Sequence, residues 1–356
     1  MSYQQVTIQA VEPLTADAIA VRFAPADTQS FAFEPGQYLT LKRVVDGEEL
    51  VRCYSICAAP GDDLRIGIKR IEGGRFSNHA HDRFKAGDVV EVLPPAGNMT
   101  VAVDAANRKN YLLIAAGSGI TPILSIAKAV LRGEPGSRVT LIFGNQRTAT
   151  MMFRDDLCSL KNAFLERFMW INVFTREKLE AEVLNGRIDN RKGTMLNERL
   201  IDITGFDEFY LCGPEAMISE VSRGLRGAGI EEERIHFELF FASAEDARQV
   251  IDKHHARATQ YGDQVCEVVV RADGRETSFE LATDGENILD GAMDAGLDLP
   301  FSCKGGVCAT CKAMLLEGEV DMDLNHALDP TQLEQGLILT CQAHPVSQRV
   351  VVDFDT

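Results

Sequence analysis

The stretch LPFSCKGGVCATCKAMLLEGEV, residues 299–320, together with LILTCQAHP at 337–345, sets four cysteines in the pattern C-x4-C-x2-C-x29-C. Cys303, Cys308 and Cys311 share one tight loop, and Cys341 comes from a distant element. Four thiolates so arranged can hold two irons bridged by two sulfides. A structural zinc site more often uses paired C-x2-C knuckles, whereas here an x4 gap precedes one x2 knuckle and a lone fourth ligand. Ordinary core cysteines are the remaining alternative. Gly305 and Gly306 suit a loop that turns sharply and presents backbone N–H groups to sulfur.

The cysteine loop lies in an acidic module. The chain of 356 residues carries 53 acids against 36 bases, a formal charge of −17. From Asp263 to the end there are 18 acids and 5 bases, a net of −13, which leaves −4 for the first 262 residues. Such a balance repels polyphosphate and anionic lipid, so neither nucleic acid nor membrane is an expected partner, and a basic protein surface is. No run approaches the ~20 apolar residues that cross a bilayer. The opening MSYQQVTIQAVEPLT lacks the features of an export signal, and nine cysteines is an odd number. A disulfide framework is therefore not expected, and cytoplasmic residence is.

Around the cysteines, CEVVVRA and ETSFELA turn on Asp273-Gly274, an acidic helix runs from Asn287 to Ala295, and KAMLLEGEV and RVVVDF read as strands. Residues 263–356 resemble a complete plant-type [2Fe–2S] ferredoxin domain of α+β, β-grasp fold. That resemblance makes Cys303, Cys308, Cys311 and Cys341 the cluster ligands. The preceding FFASAEDARQVIDKHHARATQYG is polar after its first two residues and has no clear period, so 241–262 reads as a linker.

Toward the N-terminus, AIAVRF, QYLTLKRV, LRIGIKRI and DVVEVLP are alternating runs separated by turn residues, which predicts an antiparallel β-barrel over 1–104. Within it, Arg52-Cys53-Tyr54-Ser55-Ile56-Cys57 ends an early strand. A flavin needs an aromatic over one ring face, a hydrogen-bonding group at N5 and a cation for its phosphates. Arg, Tyr and Ser at this spacing can supply all three. Downstream, Gly73-Gly74-Arg75-Phe76-Ser77-Asn78 opens a helix whose free backbone N–H groups form a pyrophosphate seat, which favours FAD over FMN. Together these stretches resemble the flavin domain of the ferredoxin-NADP reductase family. The resemblance implies that Tyr54 covers the ring, Ser55 addresses N5, Arg52 and Ser77 hold the pyrophosphate, and Ile68 with Lys69 flank the ribityl chain. Gly74, Arg75 and Phe76 complete the seat.

From about Asn110 buried strands alternate with helical stretches, which predicts a parallel-sheet α/β domain over 105–240. Its strand YLLIAAG runs into Gly117-Ser118-Gly119-Ile120-Thr121-Pro122, a glycine loop with proline in the following helix's first turn. A later strand ends in Cys212-Gly213-Pro214, and two such strand ends can converge on one crevice. By resemblance to the same family, Thr121 and Cys212 lie near a nicotinamide ring and Gly213-Pro214 near the phosphates. Cys212 as a covalent nucleophile is the rival reading, disfavoured because no His or Arg adjoins it. Thr175-Arg176, with Arg147 or Arg154 assisting, can bind a 2′-phosphate. No strand-end acid stands ready for free ribose hydroxyls, so NADPH is favoured and NADH remains possible. Phe240, in Glu238-Leu239-Phe240-Phe241, is placed near the flavin by resemblance, with Phe241 as the alternative.

His79, His81, His254 and His255 are not read as metal ligands, and His326 and His344 are read as surface residues. A nicotinamide gives up two electrons as hydride, an iron–sulfur cluster accepts one, and a flavin deals in both, so the three cofactors form a converter. Ser55, Thr121 and Cys212 stand at the proposed hydride junction. End to end, the chain resembles the reductase components of multicomponent oxygenases, di-iron or Rieske-type. This implies an oxygenase protein as electron acceptor. A stand-alone diaphorase and a docking or sensing protein with vestigial cofactor domains are the rivals, and the sequence is silent on oligomeric state.

Overall fold

A computed structural model describes residues 3–355 apart from 46, 72–73, 98, 239–243, 263, 298, 301–305, 307–308, 310 and 326. The chain divides into two compact units, one of residues 1–70 with 76–239 and one of residues 71–75 with 240–356. No helix among the described residues is long and apolar enough to cross a membrane.

The first unit opens with β1 (Gln4–Thr15), β2 (Ala18–Ala24), β3 (Tyr38–Val45), β4 (Glu48–Ser55), β5 (Leu64–Lys69), α1 (Arg75–Arg83, whose first residue falls with the second unit) and β6 (Val89–Ala96). The strands form one antiparallel sheet in the order β4-β3-β6-β1-β2-β5. Its two edges meet where Ile56, just past β4, bridges Ile66 of β5 and the Cys57 N–H donates to the Arg65 carbonyl at 2.9 Å. The sheet thus curls on itself as a barrel. Alternate residues such as Val6, Ile8, Leu39, Leu41, Ile66 and Ile68 point inward and are buried.

There follow β7 (Asn110–Ala116), α2 (Ile120–Gly133), β8 (Arg138–Asn145), α3 (Arg154–Ala163), β9 (Phe168–Phe174), α4 (Asn190–Arg199), β10 (Glu208–Cys212), α5 (Glu215–Gly227) and β11 (Ile235–Glu238). All pairs are parallel, in the order β11-β10-β7-β8-β9. The sheet order reverses direction between β7 and β10, the position where ligands enter open α/β sheets. Helix α3 is short, 10 residues. Phe153, with φ of 56°, turns the chain into it, and it ends before Phe164. Helix α2 is buried along its length from Ile120 to Leu131, which explains its apolar composition on all sides.

The second unit holds α6 (Ala244–Tyr261), β12 (Val265–Ala272), β13 (Arg275–Ala282), α7 (Ile288–Asp294), β14 (Lys312–Glu317), β15 (Val320–Met322), α8 (Pro330–Glu334), β16 (Leu337–Leu339), β17 (Ala343–Pro345) and β18 (Arg349–Asp353). The main sheet runs β13-β12-β18-β14-β16, with β15 and β17 as a separate ribbon. The hairpin turn has φ of 51° at Asp273 and 68° at Gly274, the two positive values that a two-residue hairpin requires. Both N–H groups of that turn donate to the Asp355 carboxylate, at 2.8 and 2.9 Å. Asn287 caps α7 by accepting from the Asp290 N–H at 2.9 Å. The segment expected to be an irregular linker is largely helix α6. Its sequence hides this because the side that packs inward carries Val250, His254 and Arg257, the last of them buried through bonds to Asp321 and Asp323.

Glu134, fully buried after α2, ties the connection between barrel and α/β sheet in place. Its carboxylate accepts from Tyr111 Oη at 3.0 Å, Ser137 Oγ at 2.6 Å, Asn107 Nδ2 at 2.8 Å and the Asp104 N–H at 3.2 Å. Glu134→Ala strands these donors, at about 1–3 kcal/mol for each buried group left unmade. Urea unfolding should show a loss of about 3 kcal/mol or more; a loss under about 0.5 kcal/mol, the range of an ordinary surface substitution, would contradict the account.

Candidate functional site

The two glycine-bearing strand ends touch. A Cβ built on Gly119 would lie 2.2 Å from the Cys212 carbonyl oxygen, and one on Gly213 would lie 3.2 Å from Ala116 N. Gly117 takes a φ of 55°. Glycine is therefore required at Gly119 by close approach and favoured at Gly117 by conformation. Thr121 and Pro122 sit buried in the first turn of α2, and Thr121 Oγ1 donates to the Ser118 carbonyl at 3.0 Å. The Thr121 methyl faces the barrel, 2.9 Å from where a Gly67 Cβ would stand, with the Phe153 ring at 2.8 Å from the same point.

Ser55 ends β4 and is buried; its Oγ donates to Glu238 Oε2 at 3.1 Å, across 183 residues of chain. Glu238 ends β11 in register with Cys212 of β10. Ser55, Glu238 and Cys212 are thereby brought into one neighbourhood. Half-buried by surface, Glu238 is closely ringed by protein atoms, and this desolvation pushes its carboxyl up to about 7 even though the Ser55 bond opposes the rise. Burial, with Glu238 nearby, pushes the Cys212 thiol well above its ordinary value. A thiol held neutral in this way is not a covalent nucleophile. Sequence reading left Glu238 without a role, because its environment is made by β4 of the barrel and no local motif announces it.

On the barrel, strand alternation turns Arg52 and Tyr54 to one side while Ser55 faces Glu238. The Tyr54 ring lies 5.7 Å from the buried Phe76 ring at a 39° tilt. Ser77 is buried in the first turn of α1. Arg75 opens that helix, and the Gly74 N–H donates to the Ile71 carbonyl at 2.9 Å in the turn before it. Ile68 points into the barrel core, so any contact it makes with a ligand is through its backbone. Lys69 lies at β5's end, 3.5 Å from Asp17. An aromatic ring, a cation on the same strand face, a helix N-terminus and a hydroxyl at the sheet junction fit the chemistry of an FAD.

At the carboxyl end of β9, Thr175 and Arg176 are exposed and line a cavity of about 410 Å³ with Lys178 and Asn185. Their N–H groups donate to Asn145 and Gln146 carbonyls at 3.0 and 2.9 Å. The strand end also carries an acid that the sequence reading passed over. Glu177 accepts from the Thr148 N–H at 2.6 Å and Oγ1 at 2.8 Å, and these bonds hold its carboxyl below the usual range. That carboxylate is engaged by Thr148.

In the second unit Cys311 and Cys341 are both buried in the core. The pairing of Lys312 with Leu339 places Cys311 opposite Thr340, whose N–H and Oγ1 donate to the Cys311 carbonyl at 3.2 and 2.8 Å. The two thiols therefore come from adjacent segments. Gly306 has φ of 72° and Ala309 φ of 53°, the sharp turning that a cluster loop requires. Soft thiol donors on such a loop fit an iron–sulfur cluster. Cys303, Cys308 and Phe240 lie outside the described residues. His344 and His254, read from sequence as surface and linker residues, are instead 2% and 3% exposed; His344 Nε2 lies 2.9 Å from the Asp323 carboxylate.

A barrel joined to a doubly wound sheet, with a ferredoxin-like unit after it, defines an oxidoreductase of the ferredoxin-reductase type. Comparison with known proteins agrees. Residues 5–101 match the oxidoreductase FAD-binding domain, 113–223 the oxidoreductase NAD-binding domain and 270–346 the 2Fe-2S iron-sulfur cluster binding domain. The chain is 42% identical over 358 residues to a component of the 1,2-phenylacetyl-CoA epoxidase of Escherichia coli (strain K12), covering 99% of this chain and 98% of the relative. It is 33% identical to the ferredoxin reductase component of the 3-ketosteroid-9-alpha-monooxygenase of Mycolicibacterium smegmatis, over 96% of this chain and 94% of that one. The solved structure of phthalate dioxygenase reductase shares the fold, with a TM-score of 0.54 at 24% identity over 99% of this chain and 98% of that chain. The chain belongs to the family of oxygenase reductase components that join FAD-binding, NAD-binding and C-terminal [2Fe–2S] domains.

The Glu238 carboxyl sets a test. An acid whose folded value is raised keeps a proton that the unfolded chain releases above about 4.5, so folding loses stability as pH rises from there to about 7 and levels off beyond. Glu238→Gln removes this loss. Between pH 5 and 8 the variant should gain up to about 3 kcal/mol relative to the unmodified protein in urea unfolding; a gap that stays constant with pH would show that Glu238 ionises normally.

Proposed function

We propose that this chain is the reductase of a phenylacetyl-CoA epoxidase, taking hydride from NADPH and delivering electrons singly to a di-iron oxygenase component in the cytoplasm. The observation that carries this reading is the 42% identity over nearly the whole length of both chains. The domain order supports it, with 1–104 as the flavin domain, 105–240 as the nucleotide domain, 241–262 as the connection and 263–356 as the ferredoxin domain. The FAD, when bound, supplies the step between two-electron and one-electron chemistry.

The residues divide this work. Arg52 and Ser77, with backbone at Gly74, Arg75 and Phe76, hold the flavin's phosphates. Tyr54 covers one ring face, the backbone at Ile68 and Lys69 lies along the ribityl chain, and Phe240 stands near the ring. Gly117, Gly119, Pro122, Gly213 and Pro214 seat the nicotinamide nucleotide, whose ring lies between Thr121 and Cys212. Thr175 and Arg176 bind the 2′-phosphate, with Lys178 lining the same cavity. Ser55 bonds at the N5 edge, and Glu238 holds or releases a proton on the Ser55 side of that junction. Cys303, Cys308, Cys311 and Cys341 hold the cluster. The net −13 of the C-terminal module steers it to a basic face of the oxygenase component.

The test is reconstitution without oxygen, with the epoxidase oxygenase component as acceptor. NADPH should reduce the flavin faster than NADH does. Cys341→Ser should keep flavin reduction and lose at least about 99% of transfer to the oxygenase, the scale of removing a group that a reaction cannot do without. Transfer by Cys341→Ser at the unmodified rate would refute the pathway, and equal service to a steroid oxygenase would refute the choice of partner.

A further inference from the structure

Helix α6 meets the β15–β17 ribbon through buried charge. Lys253 and Arg257, four residues apart, occupy one side of the helix. Lys253 Nζ lies 3.5 Å from Asp321 Oδ1 and donates to the Met322 carbonyl at 2.5 Å. Arg257, 2% exposed, donates from Nη1 to Asp321 Oδ2 at 2.7 Å and to Asp323 Oδ1 at 2.5 Å. The other oxygen of Asp323 meets His344 Nε2 at 2.9 Å, and the His254 ring packs edge-on against His344 at 6.5 Å. Burial opposes ionisation of Asp323, yet the bonds from His344 and Arg257 hold its carboxyl well below the usual range.

The residues that follow β15 also lie beside Cys341 and Gly306. The Asp323 N–H donates to the Gln342 carbonyl at 2.9 Å, Gln342 follows Cys341 directly, and Gln342 Nε2 donates to the Cys341 carbonyl at 2.9 Å. A Cβ on Gly306 of the loop would lie 3.1 Å from the Leu324 carbonyl oxygen and 3.4 Å from Gln342 Cγ. A buried cation on the connecting helix is thus linked, through one carboxylate and one peptide, to the strand end carrying Cys341. Arg257 Nε and Nη2 have no hydrogen-bond partner among the described residues. A buried guanidinium left partly unbonded adds little to stability and calls for another explanation.

We propose that Arg257 is a positioning residue for the iron–sulfur site, acting through Asp323 to hold the Cys341 segment and to set the reduction potential of the cluster. The proposal rests on the reading of the four cysteines as cluster ligands. Iron–sulfur potentials respond to nearby charge and to the bonding around the ligand sulfurs. The reduced cluster carries one more negative charge than the oxidised one. A cation at 257 therefore favours reduction, and a carboxylate at 323 disfavours it.

The experiment is an EPR-monitored redox titration of the full-length protein and of Arg257→Met, Arg257→Lys and Asp323→Asn, with bound iron and sulfide measured in each. Arg257→Met should shift the one-electron equilibrium toward the oxidised cluster about tenfold, or about 59 mV. Asp323→Asn should shift it the opposite way, and Arg257→Lys should restore most of the unmodified value. Opposite signs are not produced by simple loosening of the fold. Unchanged potentials in variants that retain iron and sulfide would overturn this proposal alone; absence of iron and sulfide from the unmodified protein would overturn the cysteine reading with it. Should Arg257→Met not fold, Asp323→Asn decides by the sign of its shift.

Discussion

At the switch point of the α/β sheet there is no room for a side chain at residue 119. The backbone of Gly119 rests on the Cys212–Gly213 peptide, and a single added carbon would stand 2.2 Å from a carbonyl oxygen. That approach lets the ends of β7 and β10 meet, turns α2 so that Thr121 faces the barrel, and brings Cys212 into register beside Glu238. The same tightness recurs at Gly67, where Thr121 and Phe153 fill the space a side chain would take. Barrel and α/β sheet are held at this junction by shape, so Ser55 reaches Glu238 across most of the unit.

Charge completes what shape begins. Lys128, buried on α2, bonds Asp156 at 2.6 Å, and Arg65 of the barrel bonds the same carboxylate at 3.1 Å, joining barrel and α/β sheet. Against the burial that would raise it, those cations hold Asp156 below its ordinary range. Among the described residues Glu238 has no such cation; the Ser55 hydroxyl bonds it, and burial pushes its carboxyl up to about 7. Perturbed groups of this kind gather where chemistry happens.

The legible parts of this molecule are those whose chemistry is local in the chain. The Asp273-Gly274 hairpin and the glycine loop before Pro122 each state their conformation within a few residues. What was not legible depends on partners far away in sequence. Helix α6 looks like a linker because the side it buries presents His254 and Arg257, whose burial makes sense only once Asp321, Asp323 and His344 are brought to it from more than 60 residues on. Glu177 carries no local signal of its bonds to Thr148, and His344 reads as exposed until Asp323 closes over it.

One chain here serves both a two-electron donor and a one-electron carrier. Reductive titration of the purified protein without oxygen, followed by absorption and EPR together, tests it most directly. Uptake should reach about three electron equivalents per chain, two at a flavin and one at a [2Fe–2S] centre. Uptake that stops at about two, with a bleached flavin and no iron–sulfur signal, would contradict it.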